Sequence, residues 1–234
     1  ALVIGCCMAA LQRRSCLLRP SSERAIVPKF PEPPLYSTLA ALPPAYYRLP
    51  AGTTLWRVYF RAGAHPAVWS GFRHYGPVPQ ARFDHHLLPP RLQDRGIQYA
   101  AADGLTCLAE VFQRSRTIDR RSGQPWLAAF ALQRDLSMLD LTGLWPTAAG
   151  ASSALASGQR PRARRWSQTI YSAFSDVQGL WYPSSMAGNA PAAALYERAV
   201  AALPQQPLFH RPLADPALLT PLRRIATALG YVLL

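Results

Sequence analysis

Arg57, Glu110 and Ser184 lie in three separated segments: Thr54-Leu55-Trp56-Arg57-Val58-Tyr59-Phe60, Leu108-Ala109-Glu110-Val111 and Gly179-Leu180-Trp181-Tyr182-Pro183-Ser184-Ser185. Their side chains are a guanidinium, a carboxylate and a hydroxyl, a set suited to dinucleotide chemistry. The planar fork of Arg57 matches a pyrophosphate or a ribose-phosphate edge. Tyr99 adds an aromatic face, whose quadrupole attracts a flat cationic ring. No histidine sits at an evident spacing to turn Ser184 into a nucleophile, so its hydroxyl reads as a hydrogen-bonding group. Ser185 beside it leaves the register open by one position.

In this order the segments resemble the RES domain, a bacterial family named for its arginine, glutamate and serine and related to ADP-ribosyltransferases. The resemblance spans roughly residues 50–203. It implies an α+β fold, a mixed or antiparallel central sheet with flanking helices, ADP-ribosyltransferase-like. It also implies an enzyme with NAD+ as substrate and no metal. Such an enzyme cleaves the nicotinamide–ribose bond by hydrolysis or phosphorolysis, or transfers ADP-ribose to a protein. Family members are often toxins of toxin–antitoxin pairs, which implies a cognate antitoxin as partner.

Carried over by position, the resemblance makes Glu110, Arg57 and Ser184 the catalytic set, and assigns Arg57, Arg82, Tyr99 and Ser184 to the dinucleotide. Glu110 is the central residue of that set. Cleavage expels neutral nicotinamide from a cationic pyridinium and develops positive charge on the sugar, so the transition state needs a fixed anion. One carboxylate then suffices, where ordinary glycosidases need a pair. Arg82-Phe83-Asp84 matches a family stretch of two glycines, arginine, tryptophan and asparagine only in its arginine. Gln80 and Ala81 replace the glycines here. Some members carry a tyrosine directly after the first arginine, where this chain has Val58 and then Tyr59.

The elements that must position these residues follow from patterning. Thr53 to Phe60 reads as a strand, and the Gly-, Pro- and His-rich stretch from Gly63 to Pro90 as a long loop with short extended pieces. Ile97 to Ala101 is a short strand, after which Asp103 caps a helix with Leu105, Leu108, Ala109 and Phe112 on one face. Trp126 to Leu132 and Leu136 to Leu141 suit strands, and residues 148–158 suit helix or loop. Pro161 begins a helix in which Trp166, Ile170, Ala173 and Phe174 recur, leaving Arg162, Arg164 and Arg165 in solvated first turns. Leu180 to Tyr182 is a strand. Asn189 and Pro191 open a helix carrying Leu195 and Ala199 inward, Leu208 to Pro212 is a strand, Pro216 to Leu229 a helix and Tyr231 to Leu234 an extended end. Proline density makes residues 1–45 an extended or disordered lead-in to a single domain over residues 46–234, with a C-terminal helical extension.

A net charge of +13 and a pI near 10.4 favour anionic partners. Lys29 is the only lysine, so the charge does not read simply as a nucleic-acid tract: arginine pairs well with phosphate, yet an arginine-rich, lysine-poor and alanine-rich composition equally reflects genomic base bias. A non-catalytic nucleic-acid-binding module is the alternative class, carried by Arg160, Arg162, Arg164 and Arg165. Cys6, Cys7, Cys16 and Cys107 show no zinc or disulfide spacing, which fits a cytoplasmic protein. The opening apolar run is too short to span a bilayer and precedes its arginines, opposite to a secretory signal. His85-His86 lacks accompanying ligands and reads as a solvated loop pair, not a metal site.

Overall fold

The computed structural model describes residues 28–234. Helix α1 (Tyr36–Ala40) leads into strands β1 (Tyr46–Leu49), β2 (Thr54–Phe60), β3 (Arg73–Gly76) and β4 (Arg91–Ala101). Helix α2 (Gly104–Val111) is followed by β5 (Thr117–Ile118), β6 (Pro125–Ala131) and β7 (Leu136–Asp140). Three helices come next: α3 (Trp145–Ala148), α4 (Ala154–Ser157) and the longer α5 (Arg160–Ala173). Strands β8 (Gly179–Pro183) and β9 (Pro191–Tyr196), a 3₁₀ turn (Glu197–Ala202), β10 (Phe209–Pro212), a second 3₁₀ turn (Pro216–Leu218), α6 (Leu219–Leu229) and β11 (Val232–Leu233) complete the chain.

Nine strands form one sheet in the order β1-β7-β8-β9-β4-β2-β6-β10, with β3 on the outer part of β4, and β5 pairs β11 separately. All pairs of the large sheet are antiparallel except β7 with β8. Helices pack against it, so the class is α+β with a mixed sheet, as the sequence predicts. One joint matters for function. β2 pairs β6 along its whole length but meets β4 at a single position, Trp56 opposite Ala101. Beyond that point the two strands diverge.

Strand alternation sends successive side chains to opposite faces and creates two cores. Val58, Ile97, Leu108, Trp166, Ile170 and Tyr196 lie in the larger one, beneath α2 and α5. Leu49, Leu55, Phe130, Met138, Trp181 and Leu195 fill the other.

Four expectations are corrected. The helix predicted from Asn189 and Pro191 is instead the central strand β9, buried at every residue after Pro191. Its alanines favour helix locally, but pairing with both β4 and β8 overrides that preference, and Pro191 is tolerated at the strand start. Strand β4 begins at Arg91, before the predicted Ile97, while β3 is one of the short extended pieces expected between Gly63 and Pro90. Residues 28–45, expected as part of an extended or disordered lead-in, include helix α1 and pack on the domain through buried Phe30 and Leu39, and residues 1–27 lie outside the described residues. Finally, His85 and His86 are fully buried and not solvated.

Candidate active site

The divergence of β2 from β4 opens a cavity of about 810 Å³. Arg57 from β2, Tyr99 from β4, Glu110 from the last turn of α2 and Arg82 from the loop before β4 all line it. The loop from Arg61 to Arg73 and the start of α5 at Arg160 complete the wall.

Helix α2 is fixed at its start by Asp103, which accepts the Thr106 N–H at 2.7 Å and the Thr106 hydroxyl at 2.9 Å. Leu108 and Ala109 are fully buried against the sheet, which turns Glu110 toward the cavity edge. Behind it, β8 ends at Pro183 and the chain turns. The Ser184 hydroxyl donates to Glu110 Oε1 at 2.5 Å and accepts the Met186 N–H at 3.2 Å. Ser184 is fully buried, whereas Ser185 is exposed, so the hydroxyl that meets the carboxylate belongs to Ser184. Ser184 does not itself line the cavity. It holds Glu110 from behind, so among the roles open to it the geometry is that of a positioning group.

Arg57 is 9 % exposed and its Nη1 has no hydrogen-bond partner among the described residues. Burial holds its guanidinium down at about 10, still charged at neutral pH. A buried cation with an idle donor is costly unless an anion completes it. Arg82 is partly satisfied, since one Nη donates to the Gly158 carbonyl at 2.5 Å. Burial lowers its pKa, with the positive charge of Arg160 adding to the effect and Glu110 opposing it.

Tyr99 offers the cavity its ring. Its hydroxyl accepts the Phe83 N–H at 3.0 Å, and burial raises its pKa, so it stays a neutral phenol. Cys107 lines the same wall, but burial pushes its thiol up to about 12 and it accepts from the Val58 N–H at 3.1 Å. It is therefore no thiolate nucleophile at neutral pH.

Two further cavity residues join Glu110: Gln113, which the sequence does not single out, and Arg160, which it offers only as a phosphate contact of the nucleic-acid alternative. Gln113 donates to the Glu110 carbonyl at 2.7 Å and to Glu110 Oε2 at 3.3 Å, and Arg160 donates to Gln113 Oε1 at 2.8 Å. The available signal is spacing, because residues three apart at a helix end share a face. The arginines expected in the solvated first turns of α5 keep part of their surface in solvent but are engaged. Arg162 and Arg165 grip Glu32, and Arg164 donates to the Pro79 and Ala81 carbonyls. That removes much of the exposed basic stripe on which the nucleic-acid alternative rests.

The buried histidines belong to a separate polar cluster. Asp84 accepts from Val78 N–H at 2.7 Å, from Arg73 at 2.9 Å and from the His86 ring. His85 stacks on Tyr171 at 4.3 Å and lies 3.7 Å from Glu197. No group of three or more His, Cys, Asp or Glu is placed to hold a metal ion among the described residues.

A mixed α+β domain whose splayed central strands enclose a serine-held carboxylate and an unpaired guanidinium defines the class. The RES domain family model matches residues 54–216, most of the chain, and the chain belongs to that family. Its fold is similar to that in the crystal structure of the M. tuberculosis MbcT–MbcA toxin–antitoxin complex, with 18 % identity, a TM-score of 0.53, and coverage of 81 % of this chain and 96 % of that chain. No curated protein matches the chain. No helix among the described residues is long and apolar enough to cross a membrane.

Proposed function

We propose that the protein consumes NAD+ by breaking the bond between nicotinamide and its ribose, and that it acts as the toxin of a toxin–antitoxin pair. The observation that carries this reading is the meeting of Arg57 and Glu110 in one cavity, with Ser184 bonded to the carboxylate from behind. Membership of the RES family supports it, as does the shared fold with a toxin whose structure was solved with its antitoxin.

In this mechanism Arg57, with Arg82 in the same cavity, binds the diphosphate, and the cavity volume lies within the range of about 300–1,000 Å³ usual for small-molecule sites. The Tyr99 ring packs on the nicotinamide riboside. As the C1′–N bond breaks, its electron pair goes to the pyridine nitrogen and neutral nicotinamide leaves. Glu110, oriented by the Ser184 hydroxyl, stabilises the sugar cation that develops. No general acid is required, because the leaving group departs without a proton. The cation is then captured by water, by phosphate, or by a nucleophile on a protein, giving ADP-ribose, its 1″-phosphate or a modified acceptor.

Incubating the purified protein with NAD+, with and without inorganic phosphate, and identifying products by mass spectrometry tests the reading. Release of nicotinamide supports it, and the second product assigns the acceptor. Intact NAD+ under all conditions, with a folded protein, contradicts it.

A further inference from the structure

Glu110 has two carboxylate oxygens, and Ser184 accounts for only one of them. The other, Oε2, faces the side-chain amide of Gln113, just beyond the end of α2. An amide can present either its carbonyl or its NH₂ group, and only the NH₂ group can donate to a carboxylate. Arg160 fixes which way round it sits. A guanidinium only donates, so the Gln113 Oε1 that receives Arg160 Nη2 at 2.8 Å must be the carbonyl oxygen. That leaves Nε2 for Glu110.

We infer that Gln113 and Arg160 form a positioning relay that locks the second oxygen of Glu110 and leaves its full negative charge available to the substrate. This rests on Glu110 being the catalytic carboxylate. The relay joins two elements distant in sequence, α2 and the first turn of α5. Both direct side-chain partners of the carboxylate, Ser184 and Gln113, are neutral donors. An arginine in direct contact would cancel the field that the sugar cation needs. Placed one amide away, Arg160 orients the acid and polarises Gln113 without pairing with Glu110. Arg160 and Gln113 also line the cavity, so the relay sits where substrate closes over it.

The test is a double-mutant cycle on NAD+ turnover with Gln113→Leu, Arg160→Met and the pair, each checked for a parental melting temperature. Loss of an oriented charged hydrogen bond should lower kcat roughly tenfold in Gln113→Leu with KM within about twofold. Arg160→Met should lower kcat less, and should add nothing once Gln113 is gone, because the two act as one unit. Equal loss from Arg160→Met in both backgrounds, or parental kcat in Gln113→Leu, overturns the relay. If Gln113→Leu fails to fold, Gln113→Met takes its place.

A second arm does not depend on turnover. In ¹⁵N-labelled protein the Gln113 side-chain amide resonances should move in both Arg160→Met and Glu110→Gln. Unmoved resonances overturn the relay even if NAD+ is consumed. If the parental protein leaves NAD+ intact while those resonances do move, the relay stands as structure and the reading of Glu110 is what fails.

Discussion

The Ser184 hydroxyl donates to Glu110 Oε1 at 2.5 Å across 74 residues of sequence. The bond ties the end of β8 to the end of α2, and Met186 N–H fixes the hydroxyl from the other side. A hydrogen bond to a charged group contributes about 1.5–3 kcal/mol. Ser184→Ala should therefore lower kcat for NAD+ consumption by about ten- to a hundredfold, less than removal of the charge itself, with KM little changed. Steady-state kinetics on the folded variant check this.

Arg57 predicts an opposite movement of stability and binding. Its Nη1 is buried without a partner, so the free protein bears the cost of an uncompensated cation. Arg57→Met, of similar length, should raise the melting temperature by about 2–6 °C in the absence of ligand. It should also raise KM for NAD+ at least about tenfold and abolish the thermal shift that NAD+ gives the parental protein. Thermal melts with and without NAD+ measure both effects.

The histidine cluster sets a pH dependence of stability. Burial holds His85 down at about 4 against an ordinary 6.5, despite the attraction of Glu197, and neighbouring His86 and Arg95 also oppose its protonation. Below pH 6.5 the unfolded chain takes up a proton that the folded state refuses until about 4, so stability falls across that window. Asp84 works at lower pH. Burial alone would raise it, but His86, Arg73 and the Val78 N–H together hold it at about 2 against 3.8. Its contribution is complete above 3.8 and disappears as pH falls through about 2. Urea unfolding at pH 7, 5.5 and 4.5 should show a decline of ~1–3 kcal/mol that His85→Phe flattens.

Gly179 tests the sheet beneath the serine. A methyl group there would lie 2.6 Å from the Ala194 carbonyl oxygen and 3.0 Å from Leu195 Cα, both backbone atoms of the paired strand. Neither can move without breaking the β8–β9 register. Gly179→Ala should cost about 1–3 kcal/mol by urea unfolding, and should loosen the Ser184–Glu110 bond at the strand's end.

Much of the site is legible in the sequence because its residues sit in short segments with a fixed order. Arg57 is flanked by strand formers, Glu110 follows a capped helix start, and Ser184 follows Tyr-Pro at a strand end. Other features are hidden for physical reasons. The alanines of β9 carry helix propensity, and only burial between two neighbouring strands decides otherwise. His85 and His86 look polar and solvated until Asp84, Glu197 and Tyr171 are brought around them by the fold. Gln113 and Arg160 carry side chains common on any surface, and their bond forms only because α5 starts beside the end of α2.

Glu110 is the residue on which the mechanism depends, and Glu110→Gln changes its charge while keeping its shape and a partner for Ser184. Nicotinamide release from NAD+ by this variant, measured beside the parental protein at equal melting temperature, is the most direct test. The account predicts a loss of at least about a hundredfold, the scale of removing a preorganised electrostatic group from an active site. Nicotinamide release at the parental rate would contradict it.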